Sequence, residues 1–319
     1  MAPSRALSEK WEPVFGMKSA LKQKPGAPLR SNRSGNRSRL IITADDFGAD
    51  IAVNEAVEIA HRKGVLTAAS LMVGAPAAAD AIVRAHALPS LRVGLHLVLV
   101  EGRPSLPAAE VPLLVDADGG FRTDMAAAGA RMFFHPGARR QLAAEIAAQF
   151  EAFAATGLPL DHVNAHKHFH LHPTIAGLIL QIGARHGLRS ARVPFEPTGI
   201  LDAIEPDGAH SAFSPFRLMA GQLQRRFRAA GLEVPDQVFG LRWSGAMTTP
   251  RLRGLIERLP GGLTEIYLHP ATADAYPGSA PVYRYVGELD ALVAPEVVAA
   301  ASAAHIRTGG FKDFETGVA

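Results

Sequence analysis

From residue 39 the chain alternates between short apolar runs and stretches whose apolar residues recur at helical spacing. Leu40–Phe47 (LIITADDF) reads as a buried strand that ends in polar residues. Asp50–Lys63 then places Ile51, Val53, Ala56, Val57 and Ala60 on one helical face, with Gly64 as the stop. The same reading predicts strands at Val65–Val73, Val93–Val100, His162–His168, Ser190–Phe195, Gln237–Leu241, Thr264–His269 and His305–Gly309. Between them it predicts helices at Ala77–Ala87, Ala138–Ala155, Thr174–Arg185, Pro215–Ala230, Pro250–Leu259 and Pro295–Ala303, and a long loop from about Glu101 to Asp124. Strands alternating with helices imply βα units and a parallel sheet. Seven or eight such units in one chain fit a TIM-like (β/α) barrel of 7–8 mostly parallel strands better than an open sheet. No internal repeat or interior linker divides residues 39–319, so one domain is expected there.

Composition narrows the chemistry. The 319 residues are 48% hydrophobic and 20% charged, enough apolar surface for a large core. No cysteine is present, which excludes disulfides, thiolate metal sites and cysteine nucleophiles. Any metal must be held by histidine, carboxylate or carbonyl groups. The net charge of +3 divides unevenly along the chain. Residues 1–40 carry nine basic side chains against Glu9 and Glu12, leaving 24 basic and 28 acidic groups in the rest. Residues 1–38 therefore read as a basic, disordered extension, with Met17 as a second candidate start. An acidic body argues against a nucleic-acid partner. The sequence has no signal-peptide pattern and no apolar run of membrane-spanning length, so a cytoplasmic protein is expected.

The polar residues within these apolar strands gather at their C-terminal ends, the face of a βα barrel that carries active sites. Asp45 and Asp46 end the first strand and, on an extended chain, point in opposite directions, so one can bind a metal while the other faces substrate. His96 interrupts VGLHLVLV, where a histidine is either a hydrogen-bonded core residue or a ligand. In HKHFHLH, His166, His168, His170 and His172 share one face while the chain stays extended, and neighbouring imidazoles plus a carboxylate suit zinc or another divalent ion. Arg192 lies in the next strand. His269, at the end of TEIYLH, reads equally as a satisfied structural residue or as an acid poised near neutral pH. Phe216, Met219, Leu223, Phe227 and Ala230 form a stripe flanked by Arg217, Arg225, Arg226 and Arg228. Such a helix packs on its own barrel or lies on a membrane surface.

Taken together, TADDFG (43–48), VGLHL (93–97), LDHVNAHKHFH (160–170), RVP (192–194), FGLRWSGAM (239–247) and TEIYLHP (264–270) resemble the YdjC-like carbohydrate deacetylase family. FGLRWSGAMT, TEIYLHPAT and YRYVGELDAL (283–292) are most similar to its hopanoid-biosynthesis-associated branch. The resemblance implies a deformed barrel that hydrolyses the N-acetyl group of an amino sugar. It implies Asp46, His96 and His166 as ligands of one divalent metal ion (Zn or Mg), Asp45 as general base and His269 as general acid. His168, His170, Arg192 and Trp243 become candidate substrate contacts. Asn164 departs from the aspartate that many members carry there. The branch implies an N-acetylglucosaminyl hopanoid lipid as substrate, with peripheral contact at the inner membrane face. A chito-oligosaccharide deacetylase, a metal phosphoesterase and a non-catalytic sugar-binding barrel are the competing readings.

Overall fold

The computed structural model describes residues 38–206, 215–303 and 305–315; the basic N-terminal stretch and Met17 lie outside them. In chain order the elements begin β1 (Ser38–Phe47), α1 (Ile51–Lys63), β2 (Ala68–Leu71), α2 (Ala78–His86) and β3 (Arg92–Leu97). After a long loop come α3 (Met125–Phe134), α4 (Pro136–Ala155), β4 (Val163–Ala165), α5 (Pro173–Gly183), α6 (Thr198–Ile204) and α7 (Pro215–Ala229). The chain ends with β5 (Gln237–Phe239), α8 (Thr249–Glu257), β6 (Leu263–Leu268), α9 (Tyr285–Val293), α10 (Pro295–Ala301) and β7 (Ile306–Thr308). Every described strand pair is parallel, in the order β4-β3-β2-β1-β6-β5, with β7 added beside the start of β1.

The two outer strands of that order are joined by the segment 190–195. Arg192 N–H donates to Val163 O (3.0 Å) on one side, and Ala191 N–H donates to Glu233 O (3.0 Å) on the other. Val238 N–H adds a bond to Phe195 O (2.9 Å). The sheet is thereby curled into a deformed barrel. Ser190–Phe195 is not the regular strand that the apolar pattern predicts: it makes only single bridges, Val163 to Ala191 and Ser190 to Glu233. Pro194 has no N–H to continue a ladder, and Pro197 follows three residues later.

Alternation along the strands sorts side chains into an outer and an inner set. On β1, Leu40, Ile42 and Ala44 join the main apolar cluster with the helices, whereas Ile41 joins Ala68, Leu263, Phe311 and Phe314 in a small cluster of its own. The next inward residues up the barrel are polar. Thr43 bonds Glu265 and Asp45 bonds Arg192, all nearly or fully buried. The barrel interior thus runs from an apolar floor to a charged upper layer beneath the site.

Local signals set the helix ends. Asp50 caps α1 by accepting from Ala52 N–H (2.9 Å), and His61, Arg62 and Lys63 complement the dipole of its last turn. The predicted helix at Ala138–Ala155 begins at Pro136, with His135 Nδ1 accepting from Gly137 and Ala138 N–H, and a separate helix, α3, precedes it. Helices α6 and α9 also fall where the sequence reading placed none. On α7, Leu223 and Phe227 of the stripe, with Ala220 beside them, are buried in the main core, so the helix packs on its own barrel, although Met219 and Ala230 of the stripe face outward. Leu218 and Met219 stay exposed. No described helix is long and apolar enough to cross a membrane.

Candidate metal centre

Asp46, His96 and His166 converge at the C-terminal ends of β1, β3 and β4, each offering one ligand atom within 4.8 Å of the others. Asp46 Oδ1 lies 3.0 Å from His166 Nδ1 and 3.3 Å from His96 Nε2. Asp46 reaches this position in a left-handed conformation (φ 61°), costly for a residue with a Cβ and typical of a backbone held by its function. Asp45, its neighbour, turns the other way. Its carboxylate accepts from Arg192 Nη1 (2.5 Å) and Asn164 Nδ2 (3.2 Å). The two carboxylates therefore face different partners, with the left-handed turn at Asp46 and the register shift after Ala44 breaking the regular strand alternation.

The donor set fits a divalent cation on a specific observation. His96 Nδ1–H donates to Asn164 Oδ1 (2.6 Å), so in the neutral ring Nε2 carries the lone pair, and that buried atom has no hydrogen-bond partner among the described residues. A carboxylate and two imidazoles around one point are the hard and borderline ligands that zinc or magnesium accept. Electrostatics agree. Burial disfavours a cationic His96, yet Asp45 and Asp46 outweigh it and raise the imidazole above its ordinary value. Burial likewise pushes Asp46 up, but His166 and His96 hold its carboxyl well below the usual range. This cluster stabilises a positive charge at its centre.

Around it, Arg192 is fully buried and forks between Asp45 and Glu265, donating to Glu265 Oε1 from Nε (2.9 Å) and Nη2 (2.7 Å). Burial pushes the Asp45 carboxyl up, but Arg192, aided by His96 and His269, holds it well below the ordinary range. The guanidinium also stacks over Tyr267, 4.5 Å from the ring centre. His269 follows β6, with burial lowering its imidazole below the ordinary value while Asp46 and Asp45 pull it back up. Its backbone N–H donates to Glu288, a carboxyl that burial pushes up to about 7 and that also accepts from Met247 N–H (2.9 Å).

The histidine run departs from the extended reading. Ladder pairing ends where Leu97 meets Ala165, and His166–Leu171 form a 3-10 turn in which Lys167 and His168 adopt left-handed φ of 55° and 53°. The four alternate histidines consequently do not share a face. His166 meets Asp46; His168 Nε2 pairs with Tyr267 Oη (2.9 Å); His170 is buried; and His172 sits beside Phe133 and Phe169. Burial, with Arg192 and His96 adding to it, lowers His170 to about 3, and burial, with Arg192 next, lowers His168 well below its ordinary value. Trp243 is only 5% exposed, and its described ring contacts are with Arg251 and Arg242, not with the carboxylates. The sequence reading missed Glu265, Tyr267, Ser70 and Glu288. In the sequence Ser70, Glu265 and Tyr267 are polar residues within apolar strand runs, a signal without a direction, and Glu288 carries none.

A family model described as YdjC-like protein matches residues 39–303. A carbohydrate deacetylase of Geobacillus stearothermophilus is 32% identical over 278 residues, covering 86% of this chain and 97% of that one. Another, from Vibrio vulnificus (strain CMCP6), is 39% identical over 162 residues, covering 51% of this chain and 60% of its own. A crystal structure from Enterococcus faecalis V583, of a candidate cellobiose-phosphate cleavage protein, superimposes with a TM-score of 0.71 at 23% identity. It covers 88% of this chain and 100% of that one, a likeness of fold.

Proposed function

This chain belongs to the YdjC-like family, and from that premise we propose that it is a metal-dependent carbohydrate deacetylase. Asp46, His96 and His166 hold one divalent cation, Asp45 is the general base and His269 the general acid. The observation that carries this reading is the unpartnered Nε2 of His96 facing Asp46, with Asp45 beside it in the grip of Arg192.

A cation bound there would polarise the acetamide carbonyl and make a coordinated water more acidic. Asp45 takes the proton of the attacking water. Arg192 and Asn164 fix the orientation of its carboxylate while leaving further lone pairs on both oxygens free to accept. His269 passes a proton to the departing amine nitrogen. Burial holds its imidazole below the ordinary value, which makes its cationic form a stronger donor at that step. Glu288 anchors the His269 backbone, so the imidazole meets the amide from a fixed position. Acetate and the free amino sugar are the products.

The substrate we propose is an N-acetylglucosaminyl hopanoid, converted to the glucosaminyl form. Exposed apolar side chains near the histidine run support an apolar aglycone. Phe133 (46% exposed) packs on Phe134 (78%) with ring centres 4.9 Å apart, and its ring lies 6.1 Å from that of His172. Leu218 and Met219 follow Phe216, whose ring is 6.4 Å from His168. Such surface suits a lipid presented at a membrane face. Acetate release should be measured on N-acetylglucosaminyl hopanoid and on chito-oligosaccharide, each with and without chelator. Chelator-sensitive release from the hopanoid is expected. Faster release from chito-oligosaccharide would refute the lipid substrate, and release unaffected by chelator would refute the metal.

A further inference from the structure

Beneath the metal centre an unbroken hydrogen-bonded chain crosses the barrel interior. It starts at Asp161, whose carboxylate accepts from Lys312 N–H (2.9 Å) and Phe311 N–H (3.1 Å) and from His162 Nδ1–H (2.9 Å). Because His162 spends its proton on Asp161, its Nε2 is an acceptor, and Ser70 Oγ–H donates to it (3.0 Å). Ser70 Oγ then has lone pairs for Asn164 Nδ2–H (2.9 Å), while the other Nδ2–H of Asn164 goes to Asp45 (3.2 Å). Asn164 Oδ1 is left to accept from His96 Nδ1–H. Every bond points the same way, and the direction is set by an acceptor-only carboxylate at the far end.

The chain is built rather than incidental. His162 is fully buried and stacks on Phe311 with ring centres 4.2 Å apart. Gly94, on the neighbouring strand, leaves the room: a Cβ there would lie 2.5 Å from two atoms of the imidazole. Asp161, Ser70 and Asn164 are at most 2% exposed.

We propose that Asp161, His162, Ser70 and Asn164 are positioning residues that hold His96 as the Nδ1–H tautomer, with its Nε2 lone pair turned to the cation. The opposite tautomer would set a bare Nδ1 against Asn164 Oδ1 at 2.6 Å, two acceptors face to face. Flipping the Asn164 amide would turn its oxygen onto the Asp45 carboxylate. Asn164 closes the first escape, and the second is closed by Asp45 together with Ser70, whose hydroxyl proton is committed to His162. The chain does for His96 what a carboxylate does for a metal-bound histidine elsewhere, through three intermediates. The proposal rests on Asp46, His96 and His166 holding a cation.

The test uses Ser70→Ala and His162→Phe, the second keeping a ring on Phe311. Zn2+ affinity is measured by competition with a chromophoric chelator, and the His96 tautomer by 15N NMR of the metal-free, histidine-labelled protein at alkaline pH, where the ring is neutral. Expected are an Nδ1–H signature for His96 in the wild type, mixed tautomers in both variants, and Zn2+ binding weaker by about 10- to 100-fold. Wild-type affinity with unaltered tautomer in either folded variant overturns the proposal and leaves the metal site standing. An Nε2–H tautomer in the wild type overturns it without any variant. A wild-type protein that binds no Zn2+ overturns the metal site itself, and the proposal with it.

Discussion

Replacing Arg192 by methionine removes the one cation between two buried carboxylates while keeping a side chain of comparable length. Arg192 and Glu265 are 0% exposed and Asp45 2%, so neither carboxylate can recover by turning to water. Both are left with their main counter-charge gone. Breaking a buried pair from one side costs about 3–5 kcal/mol. A large α/β domain moves by about 2–4 °C per kcal/mol, so Tm should fall by roughly 10 °C. The pH dependence has a definite sign. Arg192 holds the Asp45 carboxyl low, so in the wild type that ionised group contributes stability above its unfolded value of about 3.9, lost as pH falls through the folded value. The variant lacks this contribution. The difference between the two proteins in urea denaturation should be full at pH 7 and shrink toward pH 3. A loss below about 1 kcal/mol, or a difference that does not change with pH, would refute the buried triad as the organiser of this layer.

Glu288 gives the opposite sign. With its folded carboxyl pushed up to about 7 against an ordinary 4.5, wild-type stability measured against Glu288→Gln should fall by about 3 kcal/mol as pH rises from 4.5 to 8; a flat difference would count against its burial in ionisable form. Gly94→Ala drives a Cβ into the His162 ring and should cost about 1–3 kcal/mol by urea denaturation, whereas wild-type stability would mean that the ring has room. Phe227→Ala should cost about 3–5 kcal/mol because the ring is fully buried, while the exposed Met219→Ser should stay within about 0.5 kcal/mol; equal effects would contradict α7 packing on the barrel.

The alternation of strands and helices was legible because the strand runs are short, uniformly apolar and bounded by turn residues. The carboxylates and His96 were legible for the same reason: a charge at the end of LIIT, or an imidazole within VGLHLVLV, stands out against its neighbours. Thr43, Ser70 and Glu265 did not stand out. A parallel strand covered on both faces carries no alternation that tells inward from outward, so their partners appear only when the strands are assembled. Asn164 read as a departure from a pattern, and its three side-chain bonds depend on residues from three other strands. The turn at Lys167 and His168 was hidden because two successive left-handed residues, neither glycine, follow no local preference. Helix α3 did carry a signal: Asp124, at its N-cap, accepts from the N–H groups of Ala126 and Ala127.

In the proposed mechanism Asp45 and Asp46 divide their labour, one moving a proton and the other holding a metal. Asp45→Asn, loaded with Zn2+ and supplied with an N-acetylated amino-sugar substrate, tests this directly by metal content and acetate release together. One equivalent of metal should be retained and release slowed by about 100-fold or more. Metal retained with wild-type release would contradict it.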